Sequence, residues 1–129
     1  MELKSYQQRV INDLANFIHL LEEKRRIDIA FQEYWTEQGV TRIESYKDNI
    51  PNVPHICAKV PTAGGKTFIA VNALNTIFGK LLEHNPNRFQ FVVWLVPSLT
   101  ILEQTVKSLS DPEHPYRQRL NLLFRSKRR

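Results

Sequence analysis

The sequence predicts an α/β fold in which helices flank a parallel sheet, and two apolar runs carry most of this prediction. The first run, residues 55–60, leads into a glycine-containing turn and then a helical pattern over residues 66–83. The second run, residues 91–96, is almost unbroken, which is typical of a parallel strand buried on both faces. Another helical pattern follows it. This order of strands and helices predicts right-handed crossovers within one parallel sheet.

Two helices and a loop are predicted before the first of these strands. Ser5 is a candidate N-cap with Gln8 as its capping-box partner, and apolar residues follow at helical spacing. A second helix is expected over residues 28–38, closed by Gly39. Residues 41–54 contain two prolines, which break regular structure, and they are predicted to form a loop.

Two more helices are predicted after the second strand. Ser98 can cap a helix over residues 99–109. Residues 111–115 contain two prolines and predict a rigid turn. Residues 116–124 then give a short final helical pattern.

A functional role can be considered for three other residues, but a packing role is the preferred interpretation for each. Tyr34 and Trp35 could form a stacking platform for a base, but aromatic side chains at helical spacing usually pack against their own domain. Cys57 is the only cysteine, so no internal disulfide is possible, and it is predicted to be a small buried residue of the first strand.

The net charge of +5 is concentrated at the end of the chain. Arg125, Lys127, Arg128 and Arg129 account for four of the 18 basic residues, and the remaining 14 nearly balance the 13 acidic ones. A near-neutral body argues against strong autonomous binding of nucleic acid. The basic tail is interpreted as an exposed helix end or the point where a longer chain was cut, with a nucleic-acid contact as the alternative.

Length and hydropathy patterning predict one compact cytoplasmic domain. The 129 residues are enough for a single domain. No apolar run approaches the roughly 20 residues that a membrane-spanning helix needs, and the polar start lacks a signal-peptide core. The absence of a possible disulfide suits a reducing compartment.

The turn between the first strand and its helix has the sequence of a phosphate-binding loop. Residues 60–67 contain Gly64-Gly65-Lys66-Thr67 directly before the helical pattern. A helix start has N–H groups without intrahelical partners, and glycines let the backbone close around a phosphate. In the strict motif the first position is glycine, where this chain has Val60, and Ala63 stands where many such loops have another glycine. Lys66 is expected to reach the β- and γ-phosphates, and the Thr67 hydroxyl to bind Mg²⁺.

Three segments in this order resemble superfamily 2 DEAD/DEAH-type helicases and translocases. Residues 3–7 resemble the glutamine motif, residues 60–67 resemble motif I, and residues 96–104 resemble motif Ia. The amino-acid sequence of the loop is most similar to that of the restriction (Res) subunits of type III restriction enzymes. The resemblance implies a P-loop NTPase, with residues 1–129 as the N-terminal part of the first RecA-like domain. Residues 27–54 resemble an insertion in it.

The resemblance also implies site residues, cofactors and partners. Gln7 would hydrogen-bond the adenine edge, since its amide offers a donor and an acceptor together. Pro97, Ser98 and Thr100 would contact the backbone of one nucleic-acid strand, with DNA expected and RNA not distinguished. ATP and Mg²⁺ are the implied cofactors. The rest of a parent chain with a second RecA-like domain, and a modification or specificity subunit, are the implied protein partners. The residues that would hold ATP are Gln7, Thr62, Ala63, Gly64, Gly65, Lys66 and Thr67.

The acidic residues needed for ATP hydrolysis are missing from the expected place. Hydrolysis requires a carboxylate on Mg²⁺ and a group that orients water. The acidic residues after Thr67 are Glu83, Glu103, Asp111 and Glu113, and none follows an apolar strand. The sequence therefore predicts a segment that binds nucleotide but does not hydrolyse it alone.

Two other function classes stay open at this point. A P-loop phosphotransferase would need several arginines after the loop, and only Arg88 lies between Thr67 and Tyr116. A non-catalytic module that binds nucleotide, nucleic acid or a partner protein is the second. Binding of nucleic acid that ignores ATP and survives deletion of residues 125–129 would favour that second class.

Overall fold

A computed structural model of the chain describes residues 1–85, 87 and 90–125. These residues form five helices, and none of them is in a β-strand. The chain consists of two compact units, and the division falls between Gly64 and Gly65. The first unit is residues 4–64, and the second unit is residues 1–3 together with residues 65–129. No helix in the described part of the chain is long and apolar enough to cross a bilayer.

The first unit contains α1 (Ser5–Lys24), α2 (Ile27–Glu37) and the segment that follows them. The two helices pack through Phe17, Leu20 and Ala30, which are buried. Tyr34 joins this core, with its ring edge-on to Phe17 at 5.9 Å, and burial raises the pKa of its hydroxyl. Packing is therefore the observed role of Tyr34.

Residues 41–64 contain no helix or strand, and aromatic and polar contacts hold their first part in place. The ring of Tyr46 lies 5.5 Å from that of Phe31 on α2. The Tyr46 hydroxyl accepts a hydrogen bond from the His55 N–H at 3.0 Å and lies 3.3 Å from the Val53 carbonyl. Residues 41–54 form the predicted loop.

The second unit contains α3 (Lys66–His84), α4 (Leu99–Ser110) and α5 (Pro115–Arg125). Helix α3 is its centre, since Phe68, Ile69 and Val71 are buried and α5 packs against it. The Phe68 ring stacks on Tyr116 at 5.7 Å, and the Asn75 amide donates to the Arg119 carbonyl at 3.2 Å. Helix α4 also contacts α5 but has no buried residue.

The predicted α/β fold with a parallel sheet is wrong. Residues 55–60 belong to the first unit and residues 91–96 to the second, and neither segment is a strand. An apolar run indicates that a segment tends to be buried. A strand also requires a neighbouring strand with which its backbone can form hydrogen bonds. The described residues supply no such ladder to either segment. Cys57 is accordingly exposed, and its predicted burial is wrong too.

Residues 91–96 present an uncharged apolar surface to solvent. Phe91 is 78% exposed, Val93 70% and Leu95 88%. Short segments with high β-propensity, no charge and no proline pair readily with identical copies.

We expect Leu95→Lys to reduce concentration-dependent self-association of the chain, because a charge in such a segment opposes pairing. Light scattering over a concentration series measures this. Val53→Lys is the matched control, since Val53 is also exposed but lies outside the segment. Equal scattering from the Leu95→Lys protein and the unmodified protein would contradict the expectation.

Candidate functional site

The start of α3 carries the Gly64-Gly65-Lys66-Thr67 sequence of the predicted phosphate-binding loop. Gly65 is its N-cap, with φ 72° and ψ 42°, and no side chain caps the helix. The first intrahelical bond runs from the Ile69 N–H to the Gly65 carbonyl at 2.9 Å. The N–H groups of the three residues before Ile69 therefore have no intrahelical acceptor. Lys66 is exposed and Thr67 half-buried, so both side chains can reach a ligand at this helix start.

Two residues directly before α3 have a positive φ. Ala63 has φ 60°, Gly65 has φ 72°, and Gly64 between them does not have a positive φ. A tight turn of this kind at a helix start can bring successive N–H groups to one side, which suits an anion. Ala63 is not a glycine, so its left-handed conformation is strained.

We expect Ala63→Gly to stabilise the chain by up to about 1.5 kcal/mol. Relief of the left-handed strain gains about 1–2 kcal/mol, and the freedom that glycine adds to the unfolded chain offsets about 0.5–1 kcal/mol of it. Denaturation by urea gives the difference. Ala73→Gly, the same change inside α3, should instead destabilise by about 1 kcal/mol. Destabilisation by both substitutions would contradict the role assigned to Ala63.

Gly64 is packed too tightly for any side chain. A Cβ at this position would lie 2.6 Å from Val60 Cγ1 and 2.8 Å from the Pro61 carbonyl oxygen. The Gly64 N–H donates to that same carbonyl at 3.0 Å, so a tight turn holds the oxygen in place. Val60 stands where the strict motif has glycine, and here its side chain packs directly under Gly64.

Gln7 is buried on the first turn of α1, and both ends of its amide have backbone partners. Its Oε1 accepts from the Lys4 N–H at 2.9 Å, and its Nε2 donates to the Gly64 carbonyl at 3.0 Å. Lys4 is thus the N-cap rather than the predicted Ser5, and Gln7 rather than Gln8 is the capping partner. A glutamine amide has two N–H groups and two acceptor lone pairs, so Gln7 keeps one of each for a further partner.

Tyr6 is a further residue at the loop, and no sequence motif assigns it a role there. Its hydroxyl donates to the Gly64 carbonyl at 2.7 Å, on the same oxygen that Gln7 contacts. The available signal was its position next to Gln7 at the start of a helix. Sequence spacing alone does not reveal that a residue 58 positions earlier reaches the loop.

Pro97, Ser98 and Thr100 lie together at the start of α4, and all three are exposed. The Ser98 hydroxyl accepts from the Ile101 N–H at 3.3 Å, so the predicted N-cap is confirmed. Among the contacts of the described residues, none joins this helix start to Lys66 or Thr67. The basic tail at residues 127–129 lies outside the described residues.

A cleft of about 620 Å³ in the first unit is not at the loop. Its charges largely balance: Arg26 forms an ion pair with Asp28 at 2.7 Å, and this hydrogen bond lowers the pKa of the Asp28 carboxyl. Such a balance does not favour a phosphate. The lining residues are Leu21, Arg25, Arg26, Ile27, Asp28, Tyr46, Asp48, Asn52 and Pro54.

Comparison with known proteins identifies the family. The model of the family described as type III restriction enzyme, res subunit, matches residues 1–128. No curated protein and no solved structure gives a significant match. Because the family match covers nearly the whole chain, the chain belongs to this family, and the predicted resemblance is confirmed. The family is one of ATP-dependent, restriction-type helicases that generally use ATP with Mg²⁺ and act with DNA and a modification subunit.

Proposed function

We propose that this member of the type III restriction enzyme res-subunit family is an ATP-binding segment whose loop, residues 62–67, holds the triphosphate. The observation that carries the proposal is the start of α3, where unpartnered N–H groups follow two glycines beside an exposed lysine. Backbone N–H groups and the helix dipole at such a start favour a phosphate. Thr62 and Ala63 form the approach to this helix start, and the left-handed Ala63 turns the chain toward it.

Three side chains complete the proposed ATP site. Lys66 contacts the β- and γ-phosphates, and Thr67 binds Mg²⁺ through its hydroxyl. Gln7 recognises adenine with the donor and the acceptor that its backbone contacts leave free. This assignment gives selectivity for adenine over guanine, because guanine presents acceptors only at the corresponding major-groove positions.

The start of α4 is the proposed contact to nucleic acid. Pro97, Ser98 and Thr100 are exposed, and small hydroxyl groups at a helix start suit phosphate contacts that carry no sequence information. The Ser98 hydroxyl already accepts the capping bond but still has its own proton to donate. DNA is the proposed strand, since the family acts with DNA. The proposed place of action is the cytoplasm.

The chain is proposed to bind ATP without hydrolysing it on its own. The four acidic residues after Thr67 include none beside the loop in sequence, and hydrolysis needs a carboxylate on Mg²⁺ together with a group that orients water. Turnover would therefore depend on residues supplied by other parts of an ATP-dependent DNA translocase.

Calorimetric titration of the chain with ATP and Mg²⁺, combined with a phosphate-release assay, tests this proposal. Saturable binding that Lys66→Ala weakens, without release of phosphate, is the expected result. Lysine-dependent release of phosphate would overturn the prediction that the chain does not hydrolyse ATP. Absence of binding at millimolar ATP would overturn the proposed function itself.

A further inference from the structure

The Gly64 carbonyl receives two hydrogen bonds from neighbouring residues of α1. The Tyr6 hydroxyl donates to it at 2.7 Å and Gln7 Nε2 donates at 3.0 Å. A backbone carbonyl has two lone pairs, so these two donors use its full capacity. Gly64 and Gln7 are buried, and Tyr6 is half-buried, so the contacts are largely shielded from competing water.

These two bonds fix the orientation of the peptide that joins Gly64 to Gly65. No cis peptide occurs among the described residues, and in a planar trans peptide the C=O and N–H groups point in opposite directions. The direction of the Gly64 carbonyl therefore sets that of the Gly65 N–H. This restraint matters because a peptide between two glycines meets little steric resistance to rotation.

We propose that Tyr6 is a positioning residue for the phosphate-binding loop: through the Gly64 carbonyl, its hydroxyl holds the Gly65 N–H toward the bound phosphates. This inference rests on the proposed function. Tyr6 does not touch the nucleotide, so its substitution should weaken binding of the polyphosphate whatever base is attached. Gln7 also bonds to the Gly64 carbonyl, but it is proposed to contact adenine. The effect of substituting Gln7 should therefore depend on the base.

The test compares Tyr6→Phe with the unmodified chain by calorimetric titration with ATP, GTP and inorganic tripolyphosphate. Phenylalanine keeps the ring and removes only the hydroxyl. We expect affinity for all three ligands to fall by a common factor of about fivefold, which corresponds to one net hydrogen bond. Tyr46→Phe is the matched control, because its hydroxyl also bonds to backbone of the first unit, and its hydrogen bonds in the described part of the chain are with Val53 and His55 rather than with the loop. It should leave all three affinities unchanged.

A second measurement distinguishes positioning from a general loss of structure. In ligand-free protein, the Gly65 amide resonance should shift in Tyr6→Phe and stay in place in Tyr46→Phe. Unchanged affinities, an unchanged Gly65 resonance, or a loss confined to ATP would each overturn the role of Tyr6. If the unmodified chain binds no triphosphate, the proposed function fails and this inference fails with it. If that chain binds ATP in a Lys66-dependent way but Tyr6→Phe matches it, only this inference fails.

Discussion

Gly64→Ala is expected to lower ATP affinity at least tenfold and to destabilise the chain by about 1–3 kcal/mol, the range for overpacking a tight site. The added methyl group would lie 2.6 Å from Val60 Cγ1 and 2.8 Å from the Pro61 carbonyl oxygen. A side chain could move aside, but the Pro61 oxygen is backbone and already accepts the Gly64 N–H. The turn must therefore open, which moves the Gly64 carbonyl away from Tyr6 and Gln7.

Gly79→Ala is the matched control for this substitution. A Cβ at Gly79, in the middle of α3, would meet no atom within 4 Å. Alanine is the better helix former by about 0.5–1 kcal/mol, so this protein should be slightly more stable and bind ATP normally. Titration calorimetry and urea denaturation of both variants give the comparison. Equal behaviour of the two variants would contradict the tight packing at Gly64.

Lys66→Ala is expected to weaken binding of ATP by roughly 10- to 150-fold. The exposed ammonium group at the start of α3 is proposed to contact the phosphates, and a hydrogen bond to a charged group contributes about 1.5–3 kcal/mol. The fold should be unaffected, since the side chain is exposed and lies in the first turn of its helix.

Lys59→Ala separates a specific contact from a general effect of charge. Lys59 is also exposed and its removal changes the net charge by the same amount. Its substitution should change affinity less than twofold at physiological salt, where an exposed charge that makes no direct contact with the ligand is largely screened. If both lysine variants bind ATP equally weakly, the loss reflects overall charge, and the contact assigned to Lys66 is wrong.

The helices could be predicted from the sequence because their signals are local. Observed α2 covers Ile27–Glu37 against a predicted 28–38, and α4 covers Leu99–Ser110 against 99–109. The spacing of apolar residues and the N-cap Ser98 both involve residues within about one helical turn of each other, and interactions over that distance stabilise a helix. The predicted N-cap of α1, Ser5, is one residue later than the observed N-cap, Lys4.

The predicted sheet was wrong because a strand depends on a partner that its own residues do not specify. Residues 91–96 have the composition of a buried strand, yet Phe91, Val93 and Leu95 are exposed. Apolar alternation and β-propensity indicate that a segment fits a half-buried pleated surface. They do not provide the neighbouring strand to which its backbone would hydrogen-bond. Exposure of Cys57 follows from the same cause.

The location of the candidate loop at a helix start could be predicted, but the contacts around it could not. The Gly-Gly-Lys-Thr pattern led directly to the start of α3, because residues adjacent in sequence form that helix start. The convergence of Tyr6 and Gln7 on Gly64 joins residues 57 and 58 positions apart, and only tertiary structure reveals it. Gln7 was expected to face adenine, and its observed partners are the backbone of Lys4 and Gly64.

The most direct test of nucleotide binding at the loop is amide chemical-shift mapping of the ¹⁵N-labelled chain during titration with ATP and Mg²⁺. The largest shifts are expected at Gly64, Gly65, Lys66 and Thr67. Tripolyphosphate should reproduce them, and adenosine should not. Shifts centred elsewhere at saturation, or equal shifts with adenosine, would contradict a triphosphate held by the start of α3.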